Sequence, residues 1–163
     1  MYQPVFLNSL NSDVLYDLMF DSSENLWIGT FNVGINLHKT VFPPFVMDRQ
    51  YALERLEGLR SVLCLDQDKD RNVWMGTDGG GLFQLDVRQK PVQLVSIEKS
   101  ANHPPGLNVI TSLASLPDGN LWLGTFARGL YLYKPRAGIV KQFQNIPGDL
   151  TSLSQNNVWA LSR

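Results

Sequence analysis

Apolar positions along the chain fall in short runs separated by polar turns, and the runs recur. A first run begins at Leu15, Val62 and Ile110, with a leucine three residues further on each time (Leu18, Leu65 and Leu113). Turn formers follow: Asp-Ser-Ser-Glu-Asn (21–25), Asp-Lys-Asp-Arg-Asn (68–72) and Pro-Asp-Gly-Asn (117–120). Asp, Asn and Gly suit turns because they tolerate positive φ or bond their own backbone. The next run alternates bulky with small or polar residues, the pattern of a strand. It reads Leu-Trp-Ile-Gly-Thr (26–30), Val-Trp-Met-Gly-Thr (73–77) and Leu-Trp-Leu-Gly-Thr (121–125). A Gly-containing turn leads to a third predicted strand at 35–38, 82–86 and 130–133. A fourth is expected near 45–47, 92–95 and 140–143, eighteen residues after each Trp. Longer polar or Pro-containing linkers lead onward, and 51–59 could hold a helical turn.

Trp27, Trp74 and Trp122 thus recur at intervals of 47 and 48 residues, with Trp, Gly, Thr and Gly in register in three copies. A fourth copy opens at Val158, with Leu161 three residues on, and its lead-in Thr-Ser-Leu-Ser-Gln-Asn-Asn-Val matches residues 8–15 in register. Four short strands per unit with a recurring Gly/aromatic phrase mark a β-propeller blade. Solenoid units of this length are helical pairs, which the Gly and Pro density and the β-branched strands oppose. The expected fold is therefore all-β: about three complete four-stranded blades, with partial blades at both ends. The blades are expected at approximately 9–56, 57–103 and 104–151, with a fourth beginning over 152–163. Residues 158–162 are read as the first strand of that blade and 2–7 as an outer strand of a preceding one. A closed ring cannot be made from these pieces alone, because a composite blade would lack its Trp strand. The chain therefore reads as an excerpt of a longer protein or as one partner in an assembly.

Composition narrows the function classes. Of 163 residues, 44% are apolar and 18% charged, which suits a globular chain. Net charge is −1, so there is no electrostatic footprint for nucleic acid or an anionic membrane surface. Neither a signal peptide nor an apolar run long enough to cross a bilayer is visible. One cysteine, Cys64, excludes an intrachain disulfide framework and a multi-cysteine zinc site.

The phrase Asp-x-x-Gly-Asn-Leu-Trp-Ile-Gly-Thr-x-x-x-Gly-Leu resembles the two-component regulator propeller repeat. The segment Asn-Ile-Pro-Gly-Asp-Leu-Thr-Ser-Leu-Ser-Gln-Asn-Asn-Val (145–158) resembles that family's blade-to-blade connector. The resemblance runs from about Ser9 to Leu161. It departs at Glu24 and Arg71, which replace the turn Gly, and at Leu116, which replaces the turn Asp. The resemblance implies a non-catalytic, ligand-sensing periplasmic propeller of a bacterial membrane protein. A transmembrane helix and a histidine kinase or diguanylate cyclase module would lie elsewhere in that protein. It also implies a small-molecule or carbohydrate ligand, membrane contact only through absent parts, and a homodimer as the expected signalling assembly. A propeller enzyme (lyase or hydrolase) and a protein-interaction propeller are the alternative readings.

The repeat sorts the candidate chemistry. Trp27, Trp74 and Trp122 occupy one column and are read as inter-blade packing. Thr30, Thr77 and Thr125 are expected to bond neighbouring backbone, and Gly34, Gly81 and Gly129 to supply turn or bulge geometry. Asp66-Gln-Asp68-Lys-Asp70 resembles the start of a calcium loop, but Arg71 stands where Gly is needed and Thr77 where a bidentate Glu belongs. Gly79-Gly80-Gly81 lacks the Lys-Ser/Thr of a phosphate cradle. His38 and His103 stand outside any motif, and Cys64 is read as a buried, inert thiol. No catalytic residue, metal ligand or cofactor is assigned. Loop positions that vary between units are the better ligand candidates, because the architecture does not require them. After the Thr these are 31–33, 78–80 and 126–128, and within them Phe31, Asp78, Phe126 and Arg128 are the candidate ligand contacts. The linkers 49–60 and 98–108 vary as well.

Overall fold

Every Trp phrase becomes the second strand of an antiparallel sheet. The computed structural model describes residues 10, 12–38, 61–86, 93–96, 107–135 and 137–162. The first sheet runs β1 (Leu15–Phe20), β2 (Leu26–Thr30) and β3 (Gly34–His38), in that order. The second is β4 (Val62–Gln67), β5 (Val73–Thr77), β6 (Leu82–Asp86) and β7 (Gln93–Ser96). The third is β8 (Ile110–Ser115), β9 (Leu121–Thr125), β10 (Leu130–Lys134) and β11 (Gly138–Phe143). Consecutive strands are neighbours in every sheet, so each sheet is a meander, and the three are blades of an incomplete propeller. The strand expected at 45–47, the helical turn at 51–59 and the outer strand at 2–7 fall outside the described residues, as does His103. Among the described residues there is no helix.

The turns keep one geometry despite their different sequences. Glu24, Arg71 and Gly119 all hold a left-handed φ of 61°, 67° and 85°. Each donates its N–H to the carbonyl three residues back, on Asp21, Asp68 and Leu116. The loss of the turn Gly in the first two units has thus not changed the turn. Side chains compensate: Asp21 accepts the N–H groups of Ser23 and Asn25, and Asp68 those of Asp70 and Asn72. In the third unit Asp118 takes over and accepts from Asn120.

The same two carboxylates anchor the tryptophans. The indole N–H of Trp27 donates to Asp21 Oδ2 at 3.0 Å, and that of Trp74 to Asp68 Oδ2 at 2.8 Å. Position 116 is Leu, so Trp122 has no such acceptor, and its ring lies 5.5 Å from that of Phe143. Burial follows the order of the sheets. Trp27 lies in a cluster with Val62, Leu65, Val73, Met75, Phe83 and Leu85 of the second sheet. Trp74 lies in a cluster with Ile110, Leu113, Leu121, Leu123, Tyr131 and Tyr133 of the third, its ring 6.1 Å from that of Tyr133. The first two Trp strands therefore pack on the unit that follows each, as the repeat symmetry implied, while Trp122 meets Phe143 of its own sheet. Large-to-alanine truncation of a core Trp costs about 3–5 kcal/mol, so these two interfaces dominate cohesion.

Close backbone approach joins the units at their inner ends, where β1 lies beside β4 and β4 beside β8. A Cβ on Gly76 would stand 2.7 Å from Ile110 Cγ2 and 2.9 Å from the Ile110 carbonyl oxygen. One on Gly29 would stand 2.8 Å from the Val62 carbonyl oxygen, and one on Gly124 2.7 Å from that of Val158. The glycine of the Trp phrase is thus needed for contact with the next unit, rather than for positive φ. The threonine beside it is satisfied internally: Thr30, Thr77 and Thr125 donate their hydroxyls to the carbonyls of Gly34, Gly81 and Gly129 at 2.7–2.9 Å.

Residues 156–162 lie against the third sheet where a further inner strand belongs. Val158 N–H donates to the Thr125 carbonyl, and the Val158 carbonyl accepts from the hydroxyls of Thr111 and Ser112. The Asn156 carbonyl accepts from Gly129 N–H. The strand expected over 158–162 does not form a ladder; the segment is held by these individual bonds. The first strands share another feature: each carries a register shift at its start, between Leu15 and Asp17, Val62 and Cys64, and Ile110 and Ser112.

Candidate functional site at the channel mouth

The inner strands of the three sheets and the segment following Val158 line an open cavity of about 420 Å³. Its lining includes one full column of the repeat, Tyr16, Leu63, Thr111 and Trp159, each one residue past the first apolar position, and further residues of the same strands, among them Asp17, Asp66 and Ser112. Tyr16, Leu63 and Thr111 sit at the register shifts, where an extra residue re-aims a side chain out of the regular ladder.

Asp17 and Asp66 tie neighbouring units together at the cavity wall. Asp17 Oδ2 accepts the Leu65 N–H at 2.6 Å while its Oδ1 accepts the Leu18 N–H. Asp66 Oδ2 accepts the Ser115 N–H and its Oδ1 the Gln67 N–H. Burial pushes the Asp17 carboxyl above its ordinary value; the two backbone N–H donors oppose this, and the nearby Asp66 charge adds to it. Cys64, buried in this wall, places its thiol 3.6 Å from the Ile110 carbonyl, and burial raises its pKa well above the usual value. Burial thus favours the protonated thiol over the reactive thiolate. Asp66 and Asp68, the first two carboxylates of the Asp-x-Asp-x-Asp phrase, serve different elements: Asp66 the third sheet, Asp68 its own turn and Trp74.

The loops after the threonines open onto one end of this channel, because Leu15 pairs with Thr30, Val62 with Thr77 and Ile110 with Thr125. Phe31, Asp78 and Phe126 each donate a backbone N–H to the residue preceding their own first strand, namely Val14, Ser61 and Val109. These bonds hold the three candidates beside the inner strands. The Phe31 ring meets that of Tyr16 edge-on at 6.0 Å, and the Phe126 ring meets that of Trp159 at 5.8 Å. All four rings are exposed. Asp78 lies between the two pairs along the chain order and bridges to Val109. Gly79 and Gly81 both donate to the Asn108 carbonyl, and nothing stands within 4 Å of a Cβ placed on Gly79. The three-glycine run is thus a tight turn, with open space above Gly79.

Arg128 is not brought to the other three. It is exposed, its carbonyl accepts from Gln142 Nε2 at 2.9 Å, and Gln142 also donates to the Tyr131 hydroxyl. Burial raises the Tyr131 pKa, and the Arg128 charge works against that rise. Arg128 therefore belongs over the outer strands of its sheet. Tyr16 and Trp159 were missed in the sequence reading. They satisfy its own criterion, since Tyr16, Leu63, Thr111 and Trp159 form a column that varies from unit to unit. The bulge at Tyr16, Leu63 and Thr111 leaves no mark in the hydrophobic pattern.

Comparison with known proteins agrees with this geometry. The family model described as the two component regulator propeller matches residues 9–32 and 105–127, within the first and third units. No curated protein matches the sequence. Among solved structures, the chain is similar to the extracellular domain of BT4673, a candidate one-component or hybrid two-component system of B. thetaiotaomicron. The TM-score is 0.72 at 25% identity, over 94% of this chain and 19% of that one. It is also similar to the extracellular domain of BT3049, a candidate hybrid two-component system of the same organism. There the TM-score is 0.66 at 28% identity, over 83% of this chain and 17% of that one. PorZ, a surface component of the type-IX secretion system of Porphyromonas gingivalis, shares the fold at 18% identity with a TM-score of 0.70, over 96% of this chain and 24% of PorZ. The chain spans about a fifth of the length of the first two relatives. The similarity read from the Trp phrases is thus matched by the two component regulator propeller family in two of the three units, on a segment of propeller.

Proposed function

We propose that this chain is part of the extracytoplasmic, periplasmic sensor propeller of a bacterial transmembrane signalling protein, a two-component sensor kinase or a diguanylate cyclase. In this reading the segment binds a ligand and does no chemistry itself. The observation that carries the ligand-binding half is the channel mouth, where two exposed aromatic pairs, Tyr16–Phe31 and Phe126–Trp159, stand at the rim of a 420 Å³ cavity lined by Asp17, Asp66, Thr111 and Ser112. Apolar platforms with a few fixed polar groups are the usual makeup of a small-ligand site. Sugars suit it, because their C–H faces stack on aromatic rings while their hydroxyls reach carboxylate and hydroxyl acceptors. The similarity to extracellular domains of candidate two-component systems supports the signalling half.

Binding across units would signal only if the ligand prefers one arrangement of propellers or protomers, since equal affinity for both shifts nothing. The test is a calorimetric and Trp-fluorescence titration with neutral oligosaccharide fractions, followed by Phe31→Ala and Phe126→Ala. Each variant is expected to weaken binding about tenfold while leaving the unfolding midpoint in place, because both rings are exposed. Binding unchanged in both variants would remove the channel mouth as the ligand site.

A further inference from the structure

The charge of the cavity wall is one-sided. Among the described residues that line it, Asp17 and Asp66 are the only charged groups, and no Lys, Arg or His joins them. Asp78, exposed at the mouth, adds a third carboxylate. The described Lys and Arg residues lie elsewhere. Lys69 and Arg71 are in the turn between β4 and β5, at the opposite end of that sheet; Lys134 and Lys141 are on β10 and β11, and Arg128 lies over the outer strands. The backbone N–H groups that Asp17 and Asp66 bond are neutral dipoles, which fix the carboxylates and favour their ionised form without cancelling the charge. The Asp66 charge reaches Asp17, so the two act on the same space. Beside this wall stand the rings of Tyr16 and Trp159, both lining the cavity and both exposed. An aromatic face attracts a cation through its quadrupole, with Trp the strongest platform. Anions meet the reverse, because ring faces and carboxylates both repel them.

We propose that the channel mouth takes a ligand bearing a protonated amine, an amino sugar or an oligosaccharide of amino sugars, whose ammonium group sits between the rings and the carboxylates. The inference rests on the ligand-binding reading above and adds the ligand's charge to it. The cavity and the exposed ring pairs make the site, and Asp17, Asp66 and Asp78 select among the ligands that fit it. The C–H face of the sugar stacks on Tyr16–Phe31 or Phe126–Trp159, as any sugar would. An ammonium then brings a full charge and three donors to the wall, where a neutral hydroxyl brings one donor and a uronic carboxylate brings repulsion.

The test titrates the 163-residue chain by calorimetry with three oligosaccharides of equal length: one of glucosamine, the same one N-acetylated, and one of uronic acid. The glucosamine form is expected to bind at least about tenfold more tightly than its N-acetylated counterpart, with the uronic acid form weakest. Raising the salt from about 10 mM to about 150 mM should narrow the first gap and leave binding of the N-acetylated form unchanged. Asp78→Asn, at an exposed position, should weaken the glucosamine form about threefold and the N-acetylated form not at all. Asp17→Asn should weaken the glucosamine form about tenfold, and its unfolding midpoint shows whether the bond to Leu65 has survived. If that bond fails, Asp78→Asn and the salt series decide alone. Equal or tighter binding of the N-acetylated form, weakened by Phe31→Ala and Phe126→Ala, would overturn the charge preference and leave the sugar site standing. Glucosamine binding undiminished in both ring variants would overturn it too, because the charge would then be held elsewhere on the surface. Binding of none of the three would remove the ligand-binding reading together with the inference.

Discussion

Glu24 and Arg71 hold left-handed backbone that a glycine would adopt without steric cost. Arg71→Gly should therefore stabilise the protein by about 0.5–1 kcal/mol, read as a higher urea midpoint with unchanged slope. A loss of stability would mean that the Arg71 side chain contributes more than its backbone costs. The carboxylates differ in the opposite way. Asp21, bonded by the Trp27 indole and by Asn25 and Ser23, is held below its ordinary value against the pull of burial, whereas Asp17 is raised by burial. The folded state thus holds the Asp17 proton more tightly than the unfolded chain does. Its contribution to stability is greatest below pH about 3.8 and is lost as pH rises through the raised value. Asp21 does the reverse: its contribution is present above that pH and is lost as pH falls through the lowered value. Carboxyl-detected NMR titration should place the Asp17 midpoint above that of Asp21, and the opposite order would refute both assignments. The sequence marks Asp21 as a turn aspartate, but it does not mark the burial that raises Asp17, whose carboxylate sits against the next unit and bonds Leu65, 48 positions away in the chain.

Strands and turns were largely legible in the sequence because each blade repeats the same phrase. Every described strand coincides with an expected one to within about two residues, the usual uncertainty of strand ends. The exception is the segment after Val158, expected as a strand. Its apolar pattern is that of a first strand, but ladder formation needs a second strand beside it, which no pattern within the segment can supply. The glycine of the Trp phrase was legible as a column and not as a contact. Gly76→Ala should drive a methyl into Ile110 and the adjoining backbone, costing about 2–4 kcal/mol. Gly79→Ala meets open space, so only its φ of 98° opposes the change, and about 1 kcal/mol is expected. Urea unfolding of the two variants side by side checks this, and equal costs would mean that the close approach between units is relieved by movement.

On the scale of the whole molecule, the interfaces between sheets carry the cohesion, and they are unequal. Trp74 is fully buried and bonded to Asp68, whereas Trp122 is half-buried and its unit has Leu116 where the others have the aspartate. Trp74→Phe should therefore cost about 2 kcal/mol and Trp122→Phe less than about 1 kcal/mol. Similar costs in thermal or urea unfolding would show that the indole–carboxylate bond adds nothing. The site was legible in part for the same reason that the fold was. Phe31 and Phe126 stood out as departures from a repeating loop, and Asp78 occupies the equivalent place. Arg128 departed from the loop as well, but lies over the outer strands. Loop position was enough to place Phe31, Asp78 and Phe126 at one end of the channel, while the direction of each side chain depended on which strand it overlies.

The register shift at the start of each first strand separates two duties that one strand would otherwise combine. In β4 and β8 the residues on either side of it are buried, while Leu63 and Thr111 line the cavity together with Tyr16 and Trp159, so this column answers to the channel more than to the core. Such a column is a set of interchangeable parts. The chemistry of the bore can be rewritten one unit at a time, by mutation or by design, while the scaffold that holds it is left alone.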